Sequence, residues 1–278
     1  MYNLLKGKRG IIFGALDSNS IAWKVAERAH EEGATFVLTN APIAMRMGAI
    51  NKLAEQTNST VIPADATSME DLQNLVDKSV EILGGKIDFV LHSIGMSMNV
   101  RKGKHYTDSN YDFTHKGFDI SALSFHRVMN VLYNSNAMND WGSIVALSYM
   151  AAQRVFPDYN DMADNKAYLE SVARSFGYFF GQQNKVRVNT ISQSPTPTTA
   201  GNGVKGFDGF IAYAEKMSPL GNATALECAD YTISLFSDLT KKVTLQNLFH
   251  DGGFSNMGVS NPIMENFMSN FENERKEE

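Results

Sequence analysis

Short apolar runs alternate with longer amphipathic stretches along the whole chain. Gly10-Ile11-Ile12-Phe13-Gly14 is too short for a helix, and after a polar interval a helical spacing of apolar positions runs from Ile21 to Glu32 and stops at Gly33. Thr35 to Thr39 reads as a second buried strand. This strand, helix, strand unit is brief enough to imply a parallel pair joined by a right-handed crossover. The alternation continues with a strand at Thr60–Ala64, a helix at Met69–Leu83 that closes on Gly84-Gly85, and a strand at Ile87–His92. Tyr111 to Met138 holds one long helix or two shorter ones. Ser143–Leu147 is the next strand, Asn160–Gln182 a long helix, and Val186–Ile191 a sixth strand. Thr224-x-x-Glu227 is a capping-box pattern that opens a helix to about Ser237, ahead of a last strand near Thr244–Phe249.

About seven short strands separated by helices predict an α/β fold: a Rossmann-like, doubly wound parallel sheet with helices on both faces. No repeat, Pro-rich linker or low-complexity block divides the 278 residues, so a single domain over 1–278 is expected. With 43% hydrophobic and 20% charged residues the chain can bury a sizeable core. Its 25 basic and 30 acidic residues leave a net charge of −5, which argues against non-specific nucleic-acid binding. The single cysteine, Cys228, excludes an intrachain disulfide and points to a reducing compartment. The early apolar run is far shorter than a signal-peptide core and nowhere do roughly eighteen apolar residues run uninterrupted, so a soluble cytoplasmic protein without membrane insertion is expected. The polar stretch 270–278 is expected to fray. The six histidines show no H-x3-H spacing, and neither G-x-S-x-G nor G-x4-G-K-[ST] occurs, so no metal site, acyl transfer or phosphoryl transfer is indicated.

In such a sheet, ligands bind beyond the carboxyl ends of the strands, where strand order reverses. After the first strand, Gly14-Ala15-Leu16-Asp17-Ser18-Asn19-Ser20-Ile21 combines a turn-permitting glycine with a helix start whose amides can hold a phosphate; it reads equally as a plain strand-to-helix turn, because G-x-G-x-x-G is missing. Asp65 after the third strand can accept a hydrogen bond from an adenine amino group or cap the next helix. The fourth strand ends in His92-Ser93-Ile94-Gly95, small enough for a flat ligand or simply a turn. Tyr149 follows the fifth strand. Tyr159 and Lys166 are seven residues apart, about 10 Å along one face if both are helical. A nicotinamide ribose would bridge them; otherwise they are an exposed pair on an amphipathic helix. Between Thr198 and Ser218, Gly201, Gly203, Gly206 and Gly209 interrupt an apolar run of Phe207, Phe210, Ile211 and Tyr213, a composition that fits a mobile lid over residues 198–218 or a surface helix packed on the core.

The chain resembles the enoyl-acyl carrier protein reductases, the divergent short-chain dehydrogenase/reductases of bacterial fatty acid synthesis. The resemblance rests on G-x5-S-I-A (Gly14, Ser20, Ile21, Ala22), H-S-I-G (His92 to Gly95), S-Y-x9-Y-x6-K (Ser148, Tyr149, Tyr159, Lys166), V-R-V-N (Val186 to Asn189) and D-G-G (Asp251 to Gly253), in the family's order and over nearly the whole chain. It implies reduction of a trans-2-enoyl thioester by NADH, with NADPH not excluded. Tyr159 would donate to the thioester oxygen, Lys166 would hold the nicotinamide ribose, and Tyr149 would line the acyl site. The same resemblance assigns Gly14, Ser20 and Ile21 to the pyrophosphate and ribose, Asp65 to adenine, Ser93 and Gly95 to the central cleft, and Pro195 and Thr198 with Lys166 to the nicotinamide end. Met96, Tyr149, Tyr159 and Phe207 would meet the substrate. It further implies an acyl carrier protein as partner and a homotetramer. A related carbonyl reductase and a non-catalytic dinucleotide sensor are the competing readings; Y-x6-K counts against the first and retention of Tyr159 and Lys166 against the second.

Two segments depart from the family pattern. Ser194-Pro195-Thr196 replaces the usual glycine-proline-isoleucine, putting hydroxyls near the nicotinamide end. On the lid, Lys205 remains basic but Asp208 and Gly209 stand where basic residues usually face the carrier protein.

Overall fold

A computed structural model describes residues 2–46, 49–199 and 206–277. The first strand, β1 (Arg9–Phe13), leads to α1 (Ile21–Glu31), whose buried Ala22, Trp23, Val25, Ala26 and Ala29 form one stripe. β2 (Thr35–Thr39) follows, then α2 (Pro42–Met45) and α3 (Ala49–Thr57), and a two-residue β3 (Thr60–Val61). Next come α4 (Met69–Ile82), started by Ser68 accepting from the Asp71 amide, β4 (Ile87–His92), and the short α5 (Met98–Arg101). α6 (Tyr111–Phe118) and α7 (Ser124–Asn134) are joined by a π-helical turn at Asp119–Leu123. β5 (Met138–Ser148), α8 (Asn160–Asn184), β6 (Arg187–Gln193), α9 (Phe207–Met217), α10 (Ala225–Phe236), β7 (Asn247–His250) and α11 (Asn261–Glu277) complete the chain.

All strand pairs are parallel and the order is β3-β2-β1-β4-β5-β6-β7. The strands progress outward in opposite directions from the β1–β4 pair, which is therefore the switch point where a crevice opens. Successive strand residues face opposite layers. Ile11 and Phe13 pack with α4, α7 and α8, whereas Ile12 packs with α1, α3 and α10. Each buried Leu or Phe in these layers contributes about 1.5–3 kcal/mol relative to exposure.

The departures from the sequence reading have local causes. α2 and α3 lie in a stretch where no helix was expected, although Ile50 and Leu53 bury one face of α3. The predicted strand Thr60–Ala64 shortens to its first two residues, while the Ile62 and Ala64 amides still donate to Leu38 and Asn40. Tyr111–Met138 resolves into α6 and α7, with Met138 already in β5. That strand begins earlier than expected because it passes through a bulge, with Ile87 facing Met138 but Phe89 facing Ser143 and Trp141 at φ 64°. The expected capping box at Thr224 and Glu227 is present. The stretch 270–277 forms the end of α11, exposed over 270–275, and the start of that helix is anchored by Ile263 against the aromatic cluster described below. Among the described residues no helix is long and apolar enough to cross a membrane.

Candidate active site

The candidate residues converge at the carboxyl edge of the sheet. Gly14 ends β1 with φ +91°, and a Cβ there would lie 2.0 Å from the Ser93 carbonyl oxygen. The loops after β1 and β4 therefore touch at the switch point, and only glycine permits it. The amides of Ile21 and Ala22 have no intrahelical acceptor. Ser20 does not cap them: its hydroxyl donates to the Asp17 carbonyl at 2.8 Å, and the first turn of α1 carries no acidic side chain. Uncapped amides at the positive end of a helix, beside a contact that excludes a Cβ, fit a pyrophosphate. From the far side of the crevice, Thr199 Oγ1 donates to Asp17 Oδ2 at 2.6 Å, joining the segment after β6 to the β1 loop.

Lys166 lies on the second turn of α8. Its Nζ donates to the Leu147 carbonyl at 2.7 Å and would be 3.9 Å from a Cβ on Gly95. The lysine is thus brought to the strand end that the H-S-I-G motif singles out. Burial lowers its pKa to about 8, partly opposed by the Glu170 carboxylate. His92, at the end of β4, is fully buried with Nε2 3.0 Å from Ser124 Oγ, and burial together with the Lys166 charge lowers its pKa to about 3. It is a neutral interior imidazole.

Tyr159 does not occupy α8. It closes a 3-10 turn at Pro157–Tyr159, and Asn160 at φ 40° breaks the path at the first residue of the helix. The seven-residue spacing to Lys166 is therefore not seven helical steps. That break is held by buried polar groups: Asn160 Nδ2 donates to the Lys104 carbonyl at 2.8 Å, and Asp161 accepts from Ser97 Oγ and Asn99 Nδ2. The turn delivers the Tyr159 ring to Tyr149, with centroids 5.1 Å apart. Burial raises the pKa of both phenols, so both are neutral hydrogen-bond donors. Tyr149 Oη is buried without a partner among the described residues, a donor left for a ligand.

Around this pair, Phe156, Phe210 and Phe254 make an aromatic cluster, with Tyr149–Phe156 at 5.4 Å, Phe156–Phe210 at 5.5 Å and Phe210–Phe254 at 6.4 Å. Phe210 brings α9 onto the cluster; Phe207 opens that helix and makes no ring contact among the described residues. The D-G-G turn supports α9 from below. Asp251 accepts from the Gly253 and Ser255 amides, and a Cβ on Gly252 would lie 1.9 Å from the Gly221 carbonyl. Met96 is fixed by its backbone, whose amide and carbonyl both bond to Ser121 Oγ in the π-helical turn, at 2.8 and 2.9 Å.

Pro195 is buried just after β6 and Thr198 follows it. The unusual hydroxyls beside them are satisfied: Ser194 Oγ accepts from the Ala223 amide at 3.0 Å, and Thr196 Oγ1 donates to the Ser194 carbonyl at 3.0 Å. Asp65 stands apart at the β3 edge, exposed, with Oδ1 accepting from the amide and hydroxyl of Thr67. Ser68, not Asp65, caps α4. Gly201, Gly203 and Lys205 lie outside the described residues. Sequence reasoning did not single out Ser121, Phe156, Phe254, Gln153 or Glu170 as functional; only Glu170 carried a signal, four residues beyond Lys166 on one helix.

Comparison with known proteins bears on this arrangement. A family model described as enoyl-(acyl carrier protein) reductase matches residues 14–255. An NADH enoyl-[acyl-carrier-protein] reductase of Rickettsia bellii is 34% identical over 264 residues, 94% of this chain and 98% of that one. A second, from Rhizobium meliloti, is 32% identical over 257 residues, 92% of this chain and 94% of its own length. Among solved structures, the FabI–NADH complex from Alistipes finegoldii shares 65% identity with a TM-score of 0.92, covering 93% of this chain and 92% of that chain. The NADH-dependent enzyme from Aquifex aeolicus shares 32% identity with a TM-score of 0.85, covering 92% and 99%.

Proposed function

The chain belongs to the enoyl-(acyl carrier protein) reductase family, and on that premise we propose how its own residues carry the NADH-dependent reduction of trans-2-enoyl thioesters in fatty acid synthesis. Bound NADH supplies the hydride, which no side chain can. Reduction at the β-carbon of the enoyl group leaves negative charge on the thioester oxygen. Tyr159, neutral and facing the aromatic cluster, donates to that oxygen, a bond stronger in the transition state than in the ground state. Tyr149 packs beside it and lends its unpartnered hydroxyl to the same cleft. Lys166 holds the ribose hydroxyls of the dinucleotide at the β4 end, where Ser93 and Gly95 leave room for the ring. Gly14, Ser20 and Ile21 receive the pyrophosphate, Asp65 the adenine, and Pro195 and Thr198 the carboxamide side.

The acyl chain runs along Met96, Phe207 and the Tyr149–Phe156–Phe210 rings. A lid at 198–218 would cover it, and within that stretch Phe210 of α9 packs on Phe254. The partner is an acyl carrier protein, and because Asp208 and Gly209 replace basic residues on α9, docking rests on other positions. Exposed Tyr178 and Phe179 on α8 favour a homotetramer, and light scattering that returned the mass of one subunit would overturn it. The single buried cysteine is consistent with a cytoplasmic protein.

The observation that carries the reading is the pairing of two neutral phenols with centroids 5.1 Å apart, together with a buried ammonium that grips the Leu147 carbonyl two residues before Tyr149. The test follows NADH consumption with crotonyl and longer enoyl thioesters and with β-ketoacyl thioesters. Enoyl substrates alone should be consumed, and consumption of only the ketoacyl substrates overturns the reading. Tyr159→Phe should slow turnover about 100- to 1,000-fold while NADH still binds; unchanged turnover removes the role given to its hydroxyl.

A further inference from the structure

We propose that Glu170 is a positioning residue for this reaction: its buried carboxylate straps the Tyr149 segment to α8 and sets its charge one helical turn from Lys166. The inference rests on the functional reading above. Glu170 is 3% exposed and makes no ion pair among the described residues. Ser148 Oγ donates to its Oε1 at 2.7 Å and Gln153 Nε2 to its Oε2 at 2.9 Å. Ser148 immediately precedes Tyr149. Gln153 closes the turn that follows it, its amide donating to the Met150 carbonyl at 2.9 Å. One carboxylate thus brackets the segment that carries Tyr149. One helical turn earlier, Lys166 grips the Leu147 carbonyl, so two side chains of α8 fasten the end of β5.

Hydrogen bonding alone does not call for a charge here. A glutamine could keep both links, its carbonyl oxygen accepting from Gln153 and its amide donating to a reversed Ser148 hydroxyl, without the cost of burying an anion that has only neutral partners. The charge acts on Lys166, one turn away on the same face, which burial drives toward its neutral form. Among the described residues Glu170 is the carboxylate whose charge bears on this ammonium. Of the other titratable groups nearby, His92 on β4 is neutral and Tyr149 and Tyr159 are protonated phenols, and the Asp161 carboxylate, nearer the start of α8, is bound to Ser97 and Asn99. Without Glu170 the lysine would lose its proton at lower pH and with it the charge that draws the ribose hydroxyls.

Two variants separate the charge from the strap. Glu170→Gln keeps the volume and an acceptor but removes the charge; Gln153→Ala, at an exposed residue, removes one leg of the strap and leaves the charge. NADH affinity is titrated by fluorescence between about pH 6 and 10, with kcat on crotonyl thioester and the melting temperature measured on the same samples. Glu170→Gln should move the alkaline fall in NADH affinity down by about one pH unit, and Glu170→Asp should restore it. Gln153→Ala should leave that fall in place and lower kcat about tenfold with KM for NADH unchanged. An unmoved alkaline limb in Glu170→Gln, or only a lower melting temperature, overturns the charge role; parental kcat in Gln153→Ala overturns the strap, even if Glu170→Gln fails to fold. Absence of enoyl reduction in the parent would instead refute the functional reading, while NADH binding still tests the link between Glu170 and Lys166.

Discussion

Burying an ammonium in a cleft that must await a cofactor carries a stability cost, and Lys166→Met measures it. A fall in pKa from 10.5 to about 8 corresponds, at 1.36 kcal/mol per pH unit, to ~3 kcal/mol by which the charged form is disfavoured in the fold. This figure is already net of the attraction from Glu170. Methionine fills the same channel without a charge but gives up the charge-assisted bond to the Leu147 carbonyl, about 1.5–3 kcal/mol. The variant should therefore be about 1 kcal/mol more stable than the parent at pH 7, a rise of about 2–4 °C in melting temperature for a chain of this size. The pH dependence has a definite sign. Between about 8 and 10.5 the unfolded lysine binds a proton that the folded one has lost, so parental stability attributable to this group rises with pH across that window. The advantage of the methionine variant should shrink over the same range. Calorimetry at pH 7 and near pH 10, without cofactor, checks both. A variant that melts at or below the parent at pH 7, or an advantage that is the same at both pH values, would refute the premise that this ammonium is desolvated at a cost. NADH should raise the melting temperature of the parent and not of the variant, since the stabilising charge is gone.

Gly14→Ala should abolish measurable NADH binding and destabilise the fold by about 1–3 kcal/mol, because the added methyl would meet the Ser93 carbonyl and require φ +91° of a residue that disfavours it; a variant with parental affinity by fluorescence titration would show that the β1 and β4 loops can separate freely. Limited proteolysis tests the lid: cleavage within 198–218 should slow when NADH and an acyl-chain analogue are present together, and a cleavage rate indifferent to both would leave α9 as a fixed surface helix.

The sheet was legible in the sequence because its strands are buried on both faces and so appear as short apolar runs between glycines and polar turns. Ile11 to Phe13 and Phe89 to Leu91 show this, each residue packing to one layer or the other. The bulge in β5 hid half a strand: Asn139-Asp140-Trp141-Gly142 has the composition of a turn, and only pairing with β4 reveals that the strand runs through it. α11 was hidden for the opposite reason, since it presents few buried residues and its helix rests on tertiary contact near Ile263. At the site, motif residues that need a special backbone were visible, Gly14 and the D-G-G turn above all. The residues that aim them were not, because Ser121, Gln153 and Phe254 act from separate stretches of chain and carry no spacing relative to what they touch.

The Tyr159–Lys166 pair shows where spacing arguments stop. A wheel drawn through Tyr159 puts the phenol and the ammonium about 10 Å apart on one face of a rigid rod, whereas a 3-10 turn and the break at Asn160 separate them. The break frees the phenol from the direction that α8 would impose and lets it lean on Tyr149, while the helix proper carries the lysine to β4. The backbone at Asn160 is unfavourable by itself and persists because Lys104, Ser109, Ser97 and Asn99 bond to Asn160 and Asp161. Asp161→Ala would leave the buried Ser97 hydroxyl without its acceptor, while Asn99 Nδ2 keeps the Asn110 carbonyl and Thr114 Oγ1, and would release the break. Loss of turnover should then exceed loss of NADH affinity, since Lys166 stays on its helix while Tyr159 loses its aim; equal losses in both would mean that the turn and the helix move as one body.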